Sequence, residues 1–179
     1  MYGFARTLSR GDGLGEPAAR YVEMIASASE QLGELLDELG LAARIETGRY
    51  DPTLKDADSA ALGRAAAERL GAERVGVSGG GGIVWVDLEP TERAVSALVQ
   101  CALRHGGLDR VEVVAEGAEL TVSPITASSA PVVLGQELRD LGAAVAVMLI
   151  RRLGGSVALE GETLTIRLPR EGTARAAGP

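Results

Sequence analysis

Aromatic side chains are scarce, at 3% of the chain, so any core must be built from Ala, Val, Leu and Ile. A lone cysteine excludes an intramolecular disulfide and fits a reducing compartment. No apolar run reaches the roughly 18 residues of a membrane span, and the N-terminus lacks a signal-peptide pattern. Positive charge is not in excess. The formal net charge of −7 argues against nucleic acid or an anionic membrane as a main partner, since both need clustered Lys and Arg. Only one histidine is present, and no acid–base pair, triad or metal-ligand spacing stands out. These absences leave a soluble, cytoplasmic protein whose 179 residues allow one or two domains and a substantial core.

What is present begins with a long amphipathic stretch, Glu16 to Gly48. Tyr21, Ile25, Ala28, Leu32, Leu35, Leu39 and Ala42 alternate steps of four and three, the spacing of a helix that buries one narrow seam against other helices. Pro17 suits the first turn, Glu16 and Glu23 put negative charge near the positive helix end, and Gly48 suits a C-terminal cap. Upstream, Met1 to Arg10 reads as the tail of a helix whose beginning is absent, and Gly11 to Gly15 as a loop. Two helices in succession predict a helical hairpin over residues 1–50, whose seam finds its partners in the short preceding segment, in a second copy of the chain (which would make a four-helix bundle), or in both.

Downstream the pattern changes. Arg49 to Lys55 reads as a linker, with Pro52 barring helix continuation. Asp56 and Asp58 can cap a helix from Ser59 to Leu70. Arg74–Val77 and Ile83–Asp87 are strand-like, and the run Gly79 to Gly82 between them predicts a flexible hairpin tip rather than a phosphate loop. A helix from Pro90 to Arg104 follows, then a hairpin around Glu116-Gly117, an irregular stretch from Ser123 to Gly135, a helix from Glu137 to Leu153 and a last hairpin. The expected fold class is α+β: a helical hairpin, then an α/β sandwich over 53–169 with three helices on one sheet face, and a frayed tail over 170–179. Trp85 reads as core, and Cys101 as a small buried hydrophobe. His105 reads as a helix-end residue favoured by the dipole. Arg151 and Arg152 read as last-turn cations, and Glu34, Asp37 and Glu38 as a solvated helix face.

This order resembles the transmitter core of bacterial sensor histidine kinases, with the dimerisation hairpin ahead of the ATPase-type domain. Ala43–Arg49 reads ARIETGR where the hairpin of that family typically ends SRIEAGR. Val84–Asp87 (VWVD) matches a strand ending in Asp, Ala97–His105 matches N-x-x-x-N-A-x-K-H, and DLGAAVAVMLIRRLGG followed by SVALEGETLTIRLP matches the closing helix and hairpin. The resemblance implies a nucleotide site at Ala97, Cys101, Asp140 and Gly142. The residues there depart from it. Ala97 and Cys101 stand where the family has two asparagines that hold Mg²⁺ and phosphates, and neither alanine nor thiol suits a hard cation. Ser123–Ala127 lacks the Asp and glycines that would read adenine. Asp140 replaces the first Gly of a G-x-G, where a carboxylate repels phosphate.

The sequence therefore predicts no catalytic residue, no metal site and doubtful ATP or Mg²⁺ binding. The family's phosphoacceptor His would lie upstream of Met1, and His105 is not at that place. The leading expectation is a dimeric pseudokinase or adaptor of two-component signalling that binds a response-regulator receiver domain or a partner histidine kinase. The alternatives are a kinase-derived histidine phosphotransferase, or a truncated sensor kinase whose phosphoacceptor segment lies upstream.

Overall fold

A computed structural model describes residues 16–171. The first helix of the expected hairpin, the loop at 11–15 and the tail from 172 onward lie outside the described residues. The chain divides into two units, Met1–Gly40 and Leu41–Pro179.

The first unit carries most of helix α1 (Glu16–Glu46). Its seam is open: Tyr21, Ile25, Leu32, Leu35 and Leu39 are all exposed, as is Ala28, whereas Ala42, already in the second unit, is half-buried. Met24 and Leu36 widen the apolar strip. A helix face of this kind is stable in water only when something packs on it. The helix ends as its glycine suggests. Gly48 takes φ +68, and the Arg49 and Tyr50 N–H groups both donate to the Arg44 carbonyl.

The second unit takes in the end of α1, where Leu41 and Ile45 pack against the main core. It continues through β1 (Leu54–Asp58), α2 (Ser59–Leu70), β2 (Val75–Gly81), β3 (Ile83–Asp87) and α3 (Leu88–Gly106). After these come β4 (Val111–Glu116), β5 (Glu119–Ser123), the short α4 (Ala130–Val133), α5 (Leu141–Arg152), β6 (Ser156–Glu160) and β7 (Thr163–Arg167). Five strands form a mixed sheet in the order β2-β4-β5-β7-β6, and β1 and β3 form a separate antiparallel pair. Strand alternation sorts the large sheet's faces. Val113, Val122 and Leu164 lie side by side in register, as do Ala115, Leu120, Ile166 and Val157, and all are buried. Their neighbours along the strands, such as Glu112, Thr121, Thr165 and Arg167, face outward. Helices α2, α3 and α5 cover the apolar face with Leu62, Ala66, Val95, Leu98, Val99, Ala146, Leu149 and Ile150. At the closest point Gly63 lets α2 settle onto Val77 and Val113, where a Cβ would meet their methyl groups at 3.3 and 3.4 Å.

Several expectations need correction. The strands flanking the glycine run do not pair as a hairpin: β2 runs parallel to β4, and β3 pairs with β1. Gly79, Gly81 and Gly82 allow close approach. A Cβ on Gly79 would strike the Ala115 carbonyl oxygen, and one on Gly82 would lie 2.7 Å from Gly117 Cα. The run is pinned as well, since Gly117 N–H donates to the Gly81 carbonyl and Ser59 N–H to the Gly82 carbonyl. The linker assigned to 49–55 runs into β1, whose residues LKDAD carry too little apolar alternation to announce a strand. Asp56 sits in that strand opposite Trp85, leaving Asp58 alone as the α2 cap through its bond from Ala60 N–H. Trp85 is half-buried on the face of β3 opposite the core residues Val84 and Val86. Helix α5 starts at Leu141 rather than Glu137, because Asp140 in extended conformation caps it by accepting from Ala143 N–H.

Candidate functional site

Helix α3 has two working faces. Ala94, Val95, Leu98, Val99 and Ala102 are buried in the core. One notch round, Ala97, Cys101 and His105 follow one another at intervals of four and so share a stripe. Gly107, in the left-handed region, ends the helix, placing Arg104 and His105 in a last turn that favours cations.

The segment between β5 and α5 closes over this end of α3. Ile125, Val132 and Val133 are buried, and Ser129 ties the turn together with a hydroxyl that donates to the Thr126 carbonyl and accepts from Thr126 N–H. Ser128 Oγ donates to the His105 carbonyl at 3.0 Å, attaching the segment to the helix terminus. At its far end, Asp140 presents one carboxylate oxygen to each of two tasks. Oδ1 accepts from Ala143 N–H at 3.1 Å, and Oδ2 lies 3.2 Å from His105 Nε2 and 3.6 Å from Arg104 Nη1. The Asp140 and His105 side chains are only 10% and 18% exposed, whereas Arg104 is 60% exposed, so the His105 contact is the sheltered one.

Of the four positions assigned to a nucleotide site, Cys101 and Asp140 are brought together. The Cys101 Sγ, a His105 nitrogen and an Asp140 oxygen all lie within 4.8 Å of one another. Ala97 is half-buried one turn earlier on α3, and Gly142 is half-buried in the first turn of α5. The Cys101 thiol is fully buried; burial first, and the Asp140 carboxylate second, push its pKa up to about 12 against the opposing pull of Arg104 and Arg139. It is a thiol at neutral pH, with no nucleophilic character of its own. His105 is more than the helix-end residue expected, because it reaches across to a second element. The sequence did carry a signal for this cluster: C-x-x-x-H places two ligand-type side chains on one helix face, and only the third member comes from elsewhere.

A second polar cluster sits where α1 ends. Tyr50 hydroxyl donates to Asp87 Oδ2 at 2.7 Å, and Arg152 Nη2 donates to the Tyr50 carbonyl at 3.5 Å. Burial, then the hydrogen bond and charge of Asp87, push the Tyr50 hydroxyl pKa well above its ordinary value. A shallow groove lined in part by Glu119, Gly155, Arg167 and Pro169 lies elsewhere and holds none of the four positions.

A long helix ahead of a mixed sheet with helices on one face is the fold of the sensor histidine kinase transmitter core with its ATP-binding domain. Among solved structures the chain is similar to the Acinetobacter baumannii histidine kinase AdeS, at 17% identity and TM-score 0.66 over 94% of this chain and 96% of that one. It is also similar to full-length ShkA in complex with AMPPNP, at 17% identity and TM-score 0.68, over 92% of this chain and 41% of that one. The ATP-binding domain of PrrB from Mycobacterium tuberculosis aligns at 23% identity and TM-score 0.54, over 67% of this chain and 99% of that one. No protein-family model and no curated protein sequence matches the chain. The likeness is one of fold. Among the described residues no helix is long and apolar enough to cross a membrane.

Proposed function

We propose that this chain is a two-component signalling protein that works by binding, without phosphoryl chemistry of its own. One observation carries the reading: the N-terminus of α5, the place where a backbone could receive phosphate, already holds the carboxylate of Asp140. A helix N-terminus attracts anions because its first N–H groups lack partners and the dipole is positive there. Here the chain supplies its own anion, and that anion is further held by His105 and Arg104. An incoming triphosphate would have to displace it or share the site with a like charge. Ala97 and Cys101 meanwhile offer no oxygen to a magnesium ion.

In this reading the open seam of α1, from Tyr21 to Leu39, pairs with a second copy, and the helix pair forms a docking surface for a receiver domain or a partner kinase. The exposed apolar strip supports the pairing, and its acidic side, which includes the exposed Glu34 and Asp37 and the half-buried Glu38, supports docking of a basic surface. The protein would act in the cytoplasm. Calorimetric titration of the whole chain with ATP and Mg²⁺ tests the central claim. No heat at millimolar nucleotide is expected, and micromolar affinity would overturn it.

A further inference from the structure

We propose that Cys101, His105 and Asp140 form a site for a divalent ion of borderline softness, best filled by Zn²⁺. The site shares Asp140 with the adaptor reading, but its test is read without nucleotide or partner, so either can fail alone.

The donor set is the first reason. A thiolate, an imidazole and a carboxylate are the side chains zinc takes, and three protein ligands with a fourth position open to water is a common zinc arrangement. The same thiol that makes this place unfit for Mg²⁺ makes it fit for Zn²⁺. Geometry is the second reason. Tetrahedral zinc with ligand bonds of about 2.0–2.3 Å holds its donor atoms roughly 3.3–3.8 Å apart. His105 Nε2 and Asp140 Oδ2 already stand 3.2 Å apart, and no pair among the three donors exceeds 4.8 Å. Closing the remainder asks for about an ångström of side-chain adjustment from the two half-buried ligands.

Apart from the His105–Asp140 bond and the Arg104 ion pair, the surroundings hold the ligands without using the atoms the ion needs. Cys101 and His105 are fixed at i and i+4 on α3. Asp140 is oriented through its other oxygen, which accepts from Ala143 N–H, and the backbone at His105 is anchored by Ser128. Supporting bonds of this kind orient ligands in known metal sites. Arg104 must leave the Asp140 oxygen, which its exposure allows, and the His105–Asp140 hydrogen bond must open so that the ion enters between Nε2 and Oδ2. On binding, the Cys101 S–H bond breaks and its proton passes to solvent. The proton that His105 Nε2 shares with Asp140 leaves that nitrogen, so that the neutral ring carries its N–H on Nδ1, and the sulfur and Nε2 lone pairs form the bonds to the ion. Thiolate and carboxylate together then balance the 2+ charge. The ion would tie the end of α3 to the start of α5 and fasten the connection over residues 107–139.

The test uses the full chain, stripped with chelator and titrated with Co²⁺ as a spectroscopic stand-in, then with Zn²⁺ in competition. One equivalent of Co²⁺ should give a thiolate-to-cobalt charge-transfer band that Zn²⁺ abolishes. Cys101→Ser should remove the band, and His105→Gln should weaken binding at least tenfold. Absence of the band from the wild type, or binding unchanged in His105→Gln, overturns the proposal. Should Cys101→Ser fail to fold, X-ray absorption on the zinc-loaded wild type decides: one sulfur in the first shell supports the site, and a shell of nitrogen and oxygen alone overturns it.

Discussion

Substituting alanine along the glycine run separates a flexible tip from a packed crossing. Gly79 has φ +95, and its Cβ would strike the Ala115 carbonyl oxygen. The left-handed backbone costs an alanine about 1–2 kcal/mol, and forcing apart two backbones that cannot change rotamer costs about 1–3 kcal/mol more. Gly79→Ala should therefore destabilise by about 3 kcal/mol, or about 12 °C in Tm for a domain of this size. Gly82→Ala avoids the φ penalty but places its Cβ 2.7 Å from Gly117 Cα, so about 1–3 kcal/mol is expected. Gly80, with nothing within 4 Å and an ordinary φ, is the internal control. Gly80→Ala should be neutral or stabilise by up to about 1 kcal/mol through the unfolded chain. Urea titrations followed by Trp85 fluorescence read this unit alone, because Trp85 is the only tryptophan and sits in β3. Three variants within about 0.5 kcal/mol of wild type would refute the close-approach account and restore the flexible tip.

Four further outcomes follow from the same structure. Tyr50→Phe removes a 2.7 Å bond to a carboxylate and should cost about 2 kcal/mol at pH 7. Since the folded Tyr50 pKa is raised, wild type loses stability as pH climbs past the ordinary value of 10.0 while the variant does not, so urea curves should converge at alkaline pH. Asp58 is pushed up by burial, but Ala60 N–H, Arg64 and Gly82 N–H together hold it below its ordinary 3.8. Its charge therefore stabilises above that pH and ceases to do so as pH falls through its lowered folded value; Asp58→Asn should lose less than about 1 kcal/mol at pH 7, with the gap closing in acid titrations. On the proposed pairing of α1, Leu32→Glu with Leu35→Glu, at positions 59% and 45% exposed, should leave the second unit, read by Trp85, within about 0.5 kcal/mol of wild type yet give a monomer in sedimentation where wild type sediments as a dimer. Asp140→Gly should cost about 1 kcal/mol through the lost cap and ion pairs, and calorimetry should still detect no ATP–Mg²⁺ binding.

The sequence was most readable where a local signal and the tertiary answer coincide. Helix α2 came out at Ser59–Leu70 because Asp58 caps it and its apolar positions keep helical period. The β4–β5 hairpin was legible because Glu116-Gly117 is a turn between alternating runs, and Gly117 takes φ +59. Pairing was another matter. Two short apolar runs with glycines between them fit a hairpin locally, yet β2 finds its neighbour 30-odd residues on in β4, and β3 finds β1 (Leu54–Asp58). Nothing in the glycines announces what they lie against; only the assembled fold brings Ala115 and Gly117 there. The site divides the same way. Cys101 and His105 share a helix face by spacing alone, whereas the approach of Asp140 depends on how the segment from Pro124 to Arg139 folds back.

That dependence explains why Asp140 carries so much of the chemistry. In a phosphate-binding helix terminus, the unpaired N–H groups and the dipole wait for a ligand. A side chain that caps the helix satisfies the same groups from within, and a charged one also fills the place of the ligand's charge. The second oxygen of such a cap then faces whatever lies across the gap, and here that is the last turn of α3 with Arg104 and His105. One carboxylate thus caps the terminus of α5, where by the proposed reading it would oppose phosphate, and stands with Cys101 and His105 in a set of donors of a different kind. On the two proposals, exclusion of an anion and acceptance of a cation are two consequences of the same residue at the same helix end.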